Sequence, residues 1–201
     1  MKKSITKEQI INTALELMRD KNDLSSLNLR EIARLLGCAH TNLYNYFPSY
    51  NDLLWETHAA LQDVFTKLLT EKLGLKSEIE SRLFLFFKII VDIYIDNKGW
   101  FRLAWHEIIG GERSVRDIKA VEKVNNMLVQ DLYNLWKELT GKSPKIENVR
   151  RGLHNTHCYI VGEISNYLSG RGLIHDEAKF RSYVANEACI ICKQYFTEEV
   201  V

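Results

Sequence analysis

Proline is nearly missing from this chain: Pro48 and Pro144 are its only two in 201 residues, and glycine is sparse at 10. A fold of many short strands needs both residue types at its turns, so sandwiches and barrels are disfavoured and long helices expected. No apolar run reaches the roughly 18 residues needed to cross a bilayer. The nearest, Leu83 to Ile95, is interrupted by Lys88 and Asp92, so no membrane partner is expected. Charge of one sign is also lacking. The formal net charge is +1, so any polyanionic partner must be met by a local surface. The four cysteines (Cys38, Cys158, Cys189, Cys192) lie inside helix-like patterns, and the amino terminus carries no apolar signal segment. That usage suits a reducing, cytoplasmic location. Internal repeats and Gly/Ser-rich linkers are absent too, so the parts of the chain should pack together.

What is present reads as helices. Thr6 with Gln9 forms a capping box for a first helix, whose apolar residues Ile10, Ala14, Leu17 and Met18 recur at helical spacing up to "DKND". Asn28 with Glu31 opens a second helix carrying Leu29, Ile32, Ala33 and Leu36, and Gly37 closes it. A third, short helix is expected from about His40 to Tyr46, burying Leu43 and Phe47 before Pro48 stops it. From Ser49 a longer fourth helix carries Leu53, Leu54, Leu61, Val64, Leu68 and Leu69 towards Leu73. Five more are read at 77–97, 100–109, 116–140, 145–168 and 175–196, separated by "NKG", "GGERS", "GKSP" and "SGRG". The fold class is therefore all-α, with about nine helices.

The stretch "REIARLLGCAHTNLYNYF", residues 30–47, joins two short helices through a glycine-containing turn, the pattern of a helix-turn-helix. With Leu43 and Phe47 turned inward, His40, Thr41, Asn42, Tyr44, Asn45 and Tyr46 are left pointing outward or sideways. Their short polar heads can reach base edges or phosphates in a major groove about 12 Å wide. Residues 6–54 resemble the DNA-binding domain of the tetracycline-repressor (TetR) family of transcriptional regulators. The resemblance rests on "TKEQIINTALELM", "NLREIARLLGC", "TNLYNYF" and "SYNDLL", in that order. It implies that His40, Thr41 and Asn45 meet bases, and that Asn42, Tyr44 and Tyr46 meet phosphates or sugars. It further implies that Asn28 and Arg30 approach the backbone. Two positions depart from the family's habit: Ala39 stands where a serine is common, and Tyr50 where a phosphate-binding lysine is common. Charge agrees in sign only. Residues 1–50 hold seven Lys or Arg against five Asp or Glu, an excess that implies few phosphate neutralisations and a shallow salt dependence. Lys2 and Lys3 form a candidate arm that adds to it.

The resemblance divides the chain into a helix-turn-helix domain at 1–50 and, joined to it by the long fourth helix, a helical effector-binding and dimerisation domain at 51–201. It implies a homodimer through the last two long helices, with Ile160, Val161, Ile164, Leu168, Val184, Ala188 and Ile191 as core or seam and Gly162 and Ala185 permitting close approach. Aromatic residues gather at Phe84, Phe86, Phe87, Tyr94, Trp100, Phe101 and Trp105, followed by Tyr133 and Trp136. Most should be ordinary core. Any cavity they line would take an apolar or aromatic small molecule, with Phe87, Trp105, His106, Asn126 and His154 as candidate contacts. "HNTHC" places His154 and His157 three apart beside Cys158, and Cys189 and Cys192 are three apart, but no knuckle turn or second cysteine pair accompanies either. Metal ligation is therefore not expected, nor any cofactor. No Ser/His/Asp order, Gly-rich phosphate loop or paired carboxylates stand out, so no catalysis is expected. The function so reached is a homodimeric repressor of transcription, released from a palindromic double-stranded DNA operator by a small effector. The alternative is a helical dimeric adaptor, or an enzyme, that kept the fold without specific DNA binding.

Overall fold

The computed structural model describes residues 5–21, 28–74 and 79–197. Lys2, Lys3 and the "DKND" break beyond Lys21 lie outside them. Among the described residues the chain forms eight α-helices, one 3-10 helix and no strand, as the scarcity of turn residues requires. The helices are α1 (Lys7–Met18), α2 (Leu29–Leu35), α3 (Tyr50–Gly74), α4 (Ile79–Asp96), α5 (Lys98–Trp105), α6 (Val115–Thr140), α7 (Ile146–Leu168) and α8 (Glu177–Thr197). The 3-10 helix spans His40–Asn45, where an α-helix was expected. The chain packs as two compact units, Met1–Phe65 with Asp96–Lys123 and Thr66–Ile95 with Val124–Val201.

In the first unit, Thr6 and Gln9 cap α1 reciprocally, the side chain of each accepting from the other's backbone N–H. Ile10, Ile11, Ala14, Leu15 and Met18 are buried, so Leu15 takes the core place expected of Leu17. The carboxyl end of α1 is held by the start of α5. Gly99 N–H donates to the Arg19 carbonyl at 2.9 Å, and the Trp100 indole N–H donates to the Leu15 carbonyl at 2.8 Å. Contact there is so close that a Cβ on Gly99 would lie 1.7 Å from the Met18 carbonyl oxygen. Arg19 adds a hydrogen bond to Asn97 Oδ1 at 3.0 Å.

Further along this unit, α3 and the start of α6 meet through polar side chains. His58 Nδ1 lies 2.5 Å from Asp117 Oδ1, the Arg113 guanidinium donates to Asp117 Oδ2, and Gln62 Nε2 lies 3.2 Å from His58 Nε2. Asp117 is fully buried. Burial alone would raise its carboxyl pKa, but the hydrogen bonds and charges of His58 and Arg113 outweigh it and leave Asp117 below the usual carboxylate range. At the surface, Glu56 joins Lys7 of α1 at 3.0 Å to Arg116 of α6 at 3.4 Å. Lys7 and Arg116 are about half exposed, so these pairs contribute little beside the buried contact of His58 with Asp117.

The second unit is built on α4, α6, α7 and α8. Phe86, Phe87, Ile90 and Val91 of α4 are all nearly or fully buried, which accounts for a helix apolar on every side. The α7–α8 pair buries Val149, Leu153, Ile160 and Ile164 against Phe180, Val184, Ala188 and Cys192. Among the residues expected as core or seam, Ile160, Ile164, Val184, Ala185 and Ala188 belong to this protomer core, Val161, Leu168 and Ile191 are half-buried, and Gly162 is exposed. Cys189 and Cys192 are buried, and burial raises the Cys189 thiol pKa to about 12. Among the described residues no helix is long and apolar enough to cross a membrane.

Candidate nucleic-acid interface

The site is built by one cap, one turn and two anchors. Asn28 Oδ1 accepts from the backbone N–H groups of Arg30 and Glu31 at 3.0 and 3.1 Å, fixing the start of α2 and exposing Arg30. At the other end Gly37 adopts φ 66°, which other residues rarely take. Its N–H donates to the Arg34 carbonyl at 3.2 Å and the Cys38 N–H to the Ala33 carbonyl at 3.0 Å. This is the Schellman arrangement, and it turns the chain sharply into the 3-10 segment. Leu43 and Phe47, 0% and 1% exposed, then pin the segment to the core.

Six side chains are left outside. His40, Thr41, Asn42, Tyr44, Asn45 and Tyr46 are all exposed, as the spacing of the two anchors predicts. The segment is tighter than the expected α-helix because Thr, Asn and Tyr are poor helix formers and Pro48 closes it within eight residues of its start. Only its last turn loosens: the Leu43 carbonyl accepts from both Tyr46 and Phe47 N–H groups at 3.0 Å. At about 2 Å rise per residue the six-residue segment is about 12 Å long, comparable to the width of a major groove. Ala39 precedes it with no side-chain cap.

Asn28, Leu29, Arg30, His40, Tyr44 and Tyr50 line an open groove of about 470 Å³. Five residues singled out from the sequence therefore converge there, while Thr41, Asn42, Asn45 and Tyr46 are exposed on the same short segment. Tyr50 is half-buried, and its hydroxyl pKa is raised to about 12 by burial, then by the charges of Glu107 and Glu31. It remains a protonated donor at neutral pH. Tyr46 also has a structural role, since its hydroxyl donates to the Ile5 carbonyl and ties the start of the described chain to the segment. No local pattern could signal that bond, because its ends lie 41 residues apart.

The candidate effector contacts are divided between the two units. Trp105 and His106 are exposed in the first unit, where the His106 ring lies 5.2 Å from that of Phe101. In the second unit Phe87 is 1% exposed, edge to face with Phe86, whereas Asn126 and His154 are exposed. Tyr183 and Ile190 of α8, 47% and 45% exposed, are apolar surface residues that the sequence pattern does not single out. Among the described residues no three His, Cys, Asp or Glu side chains come together as a metal site.

No protein-family model and no curated protein matches the sequence. Solved structures do. A protein of unknown function from Rhodococcus sp. RHA1 superposes with a TM-score of 0.74 at 14% identity, covering 98% of each chain. A single-residue variant of TetR from Acinetobacter baumannii AYE, in complex with minocycline, gives 0.60 at 15% identity, covering 96% of this chain and 97% of that one. The fold is that of TetR-family transcriptional regulators. The regulator FadR from Bacillus subtilis, in complex with stearoyl-CoA, shares it with a TM-score of 0.61 at 14% identity, over 96% of this chain and 98% of that one.

Proposed function

We propose that this protein is a homodimeric DNA-binding transcriptional regulator, a repressor released from a palindromic operator by a small molecule. The observation that carries the reading is the exposed row His40–Tyr46, set by a capped α2, a Schellman turn and the buried pair Leu43 and Phe47. Polar side chains on a short rigid segment of groove width suit base reading. Arg30 and the donors Tyr44 and Tyr50 suit the flanking phosphates. One such segment reads too few base pairs for specificity, so two copies related by a two-fold axis read a palindrome. The regulator names of the structural neighbours support this class over an enzyme, and a regulator of DNA works in the cytoplasm.

The effector is proposed to be apolar or aromatic. The neighbours solved with minocycline and with stearoyl-CoA support that class, and Phe87, Trp105, His106 and Asn126 are the positions to vary. In this reading α3, which contributes to both compact units, carries the effect of the ligand to the reading segments. Its coupling is expected at about 1–3 kcal/mol. Fluorescence anisotropy on duplexes from the DNA flanking the protein's own gene tests the reading. Binding to one palindromic segment at least about 1000-fold tighter than to scrambled duplex is expected. Equal affinity for both would overturn it.

A further inference from the structure

We propose that His154 and Cys158 of α7, joined by the same two residues of a second copy of this chain, hold one zinc ion on the two-fold axis of the homodimer. The proposal rests on the homodimer reading above. It starts from spacing: residues four apart on a helix stand side by side, and both side chains are exposed while Val149, Leu153, Thr156, Ile160 and Ile164 face the core. The pair has already converged, with Cys158 Sγ 3.8 Å from His154 Nε2. Ligands at about 2.3 Å (sulfur) and about 2.0–2.1 Å (nitrogen) on a tetrahedral zinc stand about 3.6 Å apart. A shift of a few tenths of an ångström would therefore let them share an ion.

The neighbouring donors are engaged elsewhere. His157 Nε2 lies 2.9 Å from the Tyr94 hydroxyl, with the two rings stacked. Asn155 donates to the Tyr195 hydroxyl at 2.7 Å, and the Arg151 guanidinium lies over the Tyr195 ring. One chain thus offers one nitrogen and one sulfur, half of a closed structural zinc site. A second copy completes an N2S2 set, which favours zinc over calcium or magnesium. The surface beside the pair is low: Gly162, one turn beyond Cys158, is exposed with open space where a Cβ would stand, and Ser165 Oγ turns back onto the Val161 carbonyl at 2.5 Å. A second α7 can cross there closely. On binding, each Cys158 thiol gives up its proton as the S–Zn bond forms, with no change of oxidation state.

The test uses the full chain, stripped by a chelator and reloaded with Zn²⁺, with Co²⁺ as a spectroscopic probe. Elemental analysis should find one zinc per two chains, light scattering a dimer, and the cobalt form a tetrahedral spectrum with a thiolate charge-transfer band. Cys158→Ser and His154→Ala should each lose the metal while keeping the wild-type helical circular dichroism, because both residues are exposed. A dimer that takes up no zinc, or one whose zinc survives both substitutions, overturns the metal site and leaves the dimer standing. A monomer with and without zinc overturns both.

Discussion

Under the proposed function, histidine and threonine at the start of the 3-10 segment differ from the tyrosines that follow in what they can report to DNA. His40→Ala or Thr41→Ala should alter base preference by about 1–3 kcal/mol, whereas Tyr44→Ala should weaken cognate and scrambled duplexes alike. Anisotropy on a set of single-base variants separates the two outcomes, and equal effects of all three changes would refute the division. Tyr46→Phe removes the hydroxyl that donates to Ile5. It should lower unfolding stability by about 1 kcal/mol in denaturant titration while leaving base preference unchanged. Asp117 makes its own prediction through pH. Its carboxyl is held below the usual range, so the stability it adds is complete above about pH 4, where the unfolded carboxyl is ionised too, and is lost as pH falls through the folded value. Wild-type melting temperature should drop over that acid range, and the Asp117→Asn variant should show a smaller drop. The exposed polar row was legible in the sequence because two anchors four residues apart leave the rest outside. The partnership of His58 with Asp117 was not, since 59 residues separate them and neither lies in a recognisable pattern.

Between elements, glycine decides where backbones may touch. Gly99 sits where a Cβ would meet the Met18 carbonyl at 1.7 Å, while Gly162 faces open space. Gly99→Ala should therefore destabilise by about 3 kcal/mol, because α5 must withdraw from the end of α1 and release the carbonyls it caps. Gly162→Ala should stabilise the isolated protomer by about 0.5–1 kcal/mol through the ordinary helix preference for alanine. Thermal melts of the two variants under one buffer check the contrast. If α7 crosses a second α7 at Gly162, the same alanine should also weaken the dimer, which sedimentation at several concentrations reads directly. The helix starts at Thr6 and Asn28 and the stop at Gly37 were readable because capping is local chemistry. The type of the His40–Asn45 segment was not, since the bonds that distinguish a 3-10 from an α-helix differ by one residue in reach.

Across the whole molecule the decisive quantity is charge. With seven basic residues against five acidic ones in residues 1–50, and Glu31 and Glu107 close enough to raise the Tyr50 pKa, few phosphates can be neutralised. A plot of log affinity against log salt concentration should have a slope shallower than about −5 for the dimer. A slope near −10 would mean that the arm carrying Lys2 and Lys3, or another basic surface, does most of the binding.

The sequence by itself determined the all-helical class, the order of the elements and the exposed polar row of the 3-10 segment. Each of these follows from spacing of 3 or 4 residues, from caps, or from the shortage of proline and glycine. Only the tertiary structure decided that α5 closes the end of α1, that Asp117 stays ionised beside His58 and Arg113, and that His157 turns to Tyr94. Those outcomes depend on which side chains meet across the core, a choice made by packing and desolvation and not by any residue's neighbours in the chain.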